Sequence, residues 1–255
     1  MRATAKFDAL HSMWAVPLTV PTHPLAVVPL KLWRPRWFDG VALVLGSIMP
    51  DIAYVADGYG VTIHSHAWHA PLWWSLPLCL VGARLIRWAA PVVAAHLPTP
   101  ALRDYGVLGA VRHRWWVTAG SAVLGAISHI VWDAFTHPRV DGGRILFPWL
   151  HNQAPFGSPW WDLLSTVSDL LGLTAGLWLA AYVTRRRLVR AWYGPPPPMP
   201  SPRPAYFWAT AGVVVALGVL LLPLQPVRFF HDQAVRMLLA AGLALLAASS
   251  VVRLR

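Results

Sequence analysis

Histidine and aspartate are the side chains of this sequence whose spacing could do chemistry. In the run GAISHIVWDAFTH at 125–137, His129 and Asp133 are four residues apart. On a helix such residues share a face, about 6 Å from each other along the axis. The pair can hold one divalent ion, or one member can bind while the other orients it. His137 continues the segment, rotated by roughly 80° from His129, and suits the neighbouring loop or a second ion. Imidazole and carboxylate without thiolate favour Zn²⁺, with Mn²⁺ or Fe²⁺ as the other options. The single cysteine, Cys79, lies in an apolar run and excludes both a disulfide framework and a Cys-based zinc site. The chain has no glutamate, so carboxylate chemistry falls to its ten aspartates.

These groups need elements to hold them, and the composition names lipid as the main solvent. The 255 residues are 56% hydrophobic and only 12% charged, with 16 Trp, where a soluble domain carries about a quarter charged residues. A membrane-spanning helix needs about 20 apolar residues. The segments 71–90, 115–135, 160–183 and 206–224 meet this, and 237–252 is shorter. Residues 38–55 read as one further helix ending near Pro50-Asp51, and 22–33 as a short, half-embedded helix with Pro24 in its first turn. The expected fold class is all-α, a polytopic transmembrane bundle with about 5–7 membrane-embedded helices. Its organisation is a core over 1–193, a Pro-rich linker at 194–204 and a C-terminal transmembrane pair at 205–255 that carries little reactive chemistry.

The net charge of +11 would suggest nucleic acid in a soluble protein. Here it follows the positive-inside rule, and no nucleic-acid partner is expected. The clusters Lys31/Arg34/Arg36, Arg84/Arg87, Arg112/Arg114, Arg185 to Arg190 and Arg253/Arg255 fall on one side when spans alternate, with Trp pairs at helix ends. The opposite side collects His23, Asp51, the loop histidines His64, His66 and His69, then His129, Asp133, His137, His151 and Asp162. Asp162 is accounted for by a helix N-terminus. Arg139 and Arg144 also fall there and could contact an anionic substrate group, or pair with Asp141 in the loop. The plain alternatives are an interhelical hydrogen bond for His129–Asp133 and a solvated loop for His64, His66 and His69. His11, His96, His113 and His231 read as ordinary interfacial residues.

Three blocks carry a resemblance: VPLTVPTHP at 16–24, LGSIMPD at 45–51, and GAISHIVWDAFTH at 125–137. Together they resemble the DUF4184 family of bacterial membrane proteins, over roughly residues 14–183. A looser similarity links the order His, Pro-Asp, His-Ser-His, His-x-x-x-Asp to membrane-bound metal-dependent hydrolases of the DUF457 type. It also links it to the ligand order of zinc-dependent phospholipase C and P1-type nucleases. That resemblance implies His23, Asp51, His66 (or His64), His129 and Asp133 as metal ligands. The second His-x-x-x-Glu pair of those enzymes is missing, since Pro155 stands four residues after His151. One or two ions are therefore expected rather than three.

The leading expectation is a metal-dependent hydrolase in a bacterial cytoplasmic membrane, its site on the non-cytoplasmic side. Asp51 or Asp133 would be the general base, and a lipid headgroup or envelope phosphodiester the substrate, with membrane lipids as partners. The alternatives are a transporter of protons or divalent metal ions and a non-catalytic membrane scaffold with structural metal.

Overall fold

In lipid, backbone polar groups must be satisfied within the chain, and long apolar runs achieve this by forming helices. The computed structural model of the chain describes residues 19–137, 147–155, 157–226 and 230–255. Among these residues, five helices are long and apolar enough to span a membrane: Pro71–Ala95, Trp115–Thr136, Trp160–Arg185, Pro204–Leu224 and His231–Leu254. Among the described residues there are no strands, only a bridge between Gln153 and Pro159. The polytopic all-α fold is thus the one expected.

In chain order, α1 (Thr19–Trp33) and α2 (Gly40–Gly46) are short, and a 3₁₀ stretch (Pro50–Ala56) follows them. A π-helical turn (Pro71–Ser75) leads into α3 (Leu76–Ala95), and α4 (Pro100–Arg103) with a 3₁₀ turn (Asp104–Gly109) connects to α5 (Trp115–Thr136). Then come α6 (Trp160–Arg185), α7 (Leu188–Tyr193), α8 (Pro204–Leu221) and α9 (Phe230–Leu254).

Two elements differ from expectation for clear reasons. The single helix expected over 38–55 is broken. Asp39 caps α2 by accepting from the Val41 and Ala42 N–H groups, and the helix stops at Gly46. Pro50 has no N–H to continue it and opens a 3₁₀ stretch instead. The last helix starts well before residue 237, because Arg236 needs no water inside it. Its guanidinium donates to the carbonyls of Val55 (3.3 Å), Pro226 (2.7 Å) and Asp57 (2.6 Å), which ties α9 to the first 3₁₀ stretch.

Small residues set the helix separations around the site. A Cβ on Gly46 would run into the Ala122 carbonyl, and one on Gly125 would overlap the Leu43 carbonyl and lie 2.8 Å from the Ser47 nitrogen. Backbones of α2 and α5 therefore touch, as membrane helices do through small residues. Gly172 of α6 makes the same room for the Thr22 side chain of α1.

The Arg-rich end is pinned separately. Buried Asp39 pairs with Arg87 and accepts from the Thr118 hydroxyl at 2.7 Å. Asp104 receives a two-pronged contact from Arg187, 2.6 Å from Nε and 2.8 Å from Nη2, which holds its carboxyl below the usual range. Arg187 has a φ of +51°, so this ion pair anchors the left-handed residue that turns α6 into α7. The Pro-rich segment is tied down too, since the Arg203 N–H donates to His96 Nε2 at 2.8 Å and Phe207 stacks on that imidazole.

Candidate metal centre

The break after α2 turns the chain so that the Ser47 carbonyl faces α5. His129 Nδ1 donates to it at 2.7 Å. That bond fixes the imidazole, directing Nε2 into the space below the 3₁₀ stretch. Asp51 enters from that stretch and Asp133 from one turn further along α5. His66 enters from the loop before α3, with its Nδ1 held 3.1 Å from the Ser65 hydroxyl. Both histidines therefore have one ring nitrogen engaged and the other turned to the same point, the arrangement that outer-shell partners impose on metal ligands.

Four atoms converge there. His66 Nε2 lies 3.2 Å from Asp51 Oδ1, 3.2 Å from His129 Nε2 and 3.3 Å from Asp133 Oδ2. His129 Nε2 lies 3.3 Å from Asp51 Oδ1 and 3.1 Å from Asp133 Oδ2. These are five of the six edges of a tetrahedron. Ligands about 2.0–2.1 Å from a tetrahedral zinc are separated by about 3.3 Å. The residues present thus fit a small divalent cation by donor type and by spacing.

Electrostatics point the same way. Asp51, His129 and Asp133 are all buried, and two carboxylates removed from water need positive charge beside them. Burial would lower the pKa of His66, but its hydrogen bonds to Asp133 and Asp51 raise it above that of an ordinary imidazole. The pocket is set to hold a cation. His66 is also its most open wall, with 19% of its side chain exposed against 0% for His129.

His23 and His137 border the tetrahedron. The His23 ring stacks on His129 with centroids 3.8 Å apart. Asp133 turns its second oxygen, Oδ1, toward His23 Nε2 at 3.5 Å and His137 Nδ1 at 3.4 Å. That oxygen and His23 Nδ1 are buried without a hydrogen bond among the described residues. His64 is exposed and stays outside the group, as does His69, which accepts from the Trp73 indole at 2.8 Å. His151 is exposed as well. Arg139 and Arg144, expected to contact an anion, lie outside the described residues.

Some groups here escaped the sequence reading. Tyr54 stands between His66 and His231, with ring centroids at 5.7 and 4.4 Å. His231, read as an ordinary interfacial residue, joins Asp57 and Asp232 in a second cluster of donor atoms within 4.8 Å of one another. The signal for it was His231-Asp232 at the mouth of an apolar run, but its partner Asp57 is some 170 residues away.

Compared with known families, residues 16–254 match the one described as "Domain of unknown function (DUF4184)". The match runs past the expected 14–183 and takes in α8 and α9. No curated protein and no solved structure matches the chain.

Proposed function

Because the chain belongs to the DUF4184 family, whose description assigns no activity, we propose on chemical grounds that it is a membrane-bound metal-dependent hydrolase. Its substrate would be a lipid headgroup or another envelope phosphodiester, met at the non-cytoplasmic face of a bacterial inner membrane. The observation that carries this reading is the tetrahedron of Asp51, His66, His129 and Asp133 atoms, with edges of 3.1–3.3 Å. A divalent ion, most simply Zn²⁺, would polarise a phosphoryl oxygen and lower the pKa of a bound water toward neutrality.

The side chains divide the remaining work. His129 and Asp51, on rigid buried elements, hold the cation. Asp133 Oδ1, lying beside His23 and His137, is placed to accept a proton, and half-buried His137 to pass it outward. Four protein ligands close a tetrahedron, whereas a catalytic site keeps a position open. His66, on a loop and the least buried of the four, would be the ligand that leaves such a position open. The same closed tetrahedron supports a second reading, a non-catalytic scaffold with structural metal.

Elemental analysis of protein purified without chelators is the first test. Wild type is expected to carry about one divalent ion per chain, His129→Ala and Asp133→Ala to lose it, and His64→Ala to keep it. A metal-free wild type ends the proposal. With metal present, release of water-soluble headgroups from mixed lipids separates hydrolase from scaffold. Ion flux in proteoliposomes without such release would instead assign transport.

A further inference from the structure

Two adjoining cavities, running from the flank of the metal centre at Pro24 and Ile48 to the Arg-rich end, are not used by the proposed hydrolysis. One, of about 500 Å³, is walled by apolar side chains, among them Val28 of α1, Val44 of α2, Ile86 of α3 and Leu179 and Val183 of α6. Its size falls in the range of about 300–1,000 Å³ typical of small-molecule sites. The lining runs from Pro24 to Lys31 on α1 and from Gly176 to Val183 on α6. Seven helical residues rise about 10 Å, so the slot extends along the spans rather than across them.

At its base lies Lys31, buried in the last turn of α1. Its ammonium donates to the Pro35 and Phe38 carbonyls and stands 5.4 Å from the Trp192 ring centroid. Trp192 is also a wall of the second cavity, of about 410 Å³, whose other walls include Trp33, Arg34, Arg36 and Trp37. Arg34 is stacked on Trp33 and Trp37, at 4.9 and 5.5 Å. Neither the Arg34 nor the Arg36 guanidinium has a hydrogen bond or ion pair among the described residues, and no acidic side chain lines either cavity. Two guanidinium groups framed by indoles thus adjoin an apolar slot that runs along the spans.

We infer that this pair of cavities binds one anionic phospholipid of the surrounding bilayer, its phosphate between Arg34 and Arg36 and one acyl chain in the slot. Guanidinium groups recognise phosphate through paired charge-assisted hydrogen bonds. Tryptophan belongs at the headgroup level, and basic pockets between spans are where anionic headgroups lodge. A zwitterionic lipid would fit the slot but would bring its own cation to the two arginines. The inference rests on Arg34, Arg36 and the slot and uses none of the metal-centre side chains, so either reading can fail alone.

The test uses the full-length protein in detergent with phosphatidylglycerol or phosphatidylcholine added, bound lipid being counted by native mass spectrometry. Wild type retains phosphatidylglycerol over phosphatidylcholine by on the order of tenfold. Arg34→Gln/Arg36→Gln erases that preference, and Arg34→Lys/Arg36→Lys, which keeps the charge, preserves most of it. Ala180→Phe, which adds bulk to the slot from exposed Ala180, lowers retention of both lipids. Equal retention of the two lipids by wild type overturns the proposal, as does a preference that survives the double Gln variant or retention unaltered by Ala180→Phe.

Discussion

Ser65 shows how much of the site depends on a side chain that never touches the convergence point. Its hydroxyl sits 3.1 Å from His66 Nδ1 and so decides which imidazole edge faces Asp51 and Asp133. Removing such an outer partner typically weakens metal affinity by about 10–100-fold. Ser65→Ala is accordingly expected to lower affinity by about tenfold while His64→Ala leaves it unchanged, as competition with a chromogenic chelator would measure. Equal effects of the two substitutions would remove the distinction between the neighbouring histidines. The sequence left His64 and His66 as alternatives for good reason. Two residues apart in a polar loop, they differ only in which way the chain turns after Ile63, and no periodicity encodes that. His129 and Asp133 were legible because helix geometry fixes their relation without knowledge of anything else.

The contact between α2 and α5 carries the site at the next level up. His129 reaches the Ser47 carbonyl only because Gly46 and Gly125 let the two backbones touch. Gly125→Ala places a methyl against the Leu43 carbonyl, an overpacking expected to cost about 1–3 kcal/mol. A lower midpoint in detergent thermal unfolding, together with reduced metal content, checks it. An unchanged midpoint would mean the helices separate freely. A second pin holds the same elements at the other end, where Asp39 joins Arg87 of α3 and Thr118 of α5. Breaking one side of a buried pair leaves a lone charge and costs about 3–5 kcal/mol, so Arg87→Ala should destabilise more than Gly125→Ala. Asp39 was invisible in the sequence as a partner, since Arg87 read as one of a cationic cluster at a span end. Likewise, 38–55 read as one helix because its apolar run is continuous. Only the Asp39 cap, the end at Gly46 and Pro50 together explain why it breaks.

Across the whole molecule, the cationic clusters gather at one end and the His/Asp group at the other, and that separation was legible because spans must alternate. What the sequence hid was traffic between distant segments: α9 reaches the metal end through Arg236 and His231, although the C-terminal pair read as inert. The Arg-rich end has its own pH dependence. Because Arg187 holds the Asp104 carboxyl below its ordinary value, the stability this pair contributes is present above the unfolded-state value of about 3.9 and fades as pH falls through and below it. The gap in unfolding midpoint between wild type and Asp104→Asn should therefore narrow from about pH 5 to about pH 3. Orientation is the remaining property at this scale, and the proposed one, from the positive-inside rule, has the Arg-rich end in the cytoplasm. Cys79 is buried, so single cysteines introduced at exposed positions report without background. A membrane-impermeant maleimide should label His64→Cys in intact cells and Arg112→Cys only after lysis. The reverse pattern would put the metal centre on the cytoplasmic side, and the substrate would then have to be sought among cytoplasmic phosphodiesters rather than in the envelope.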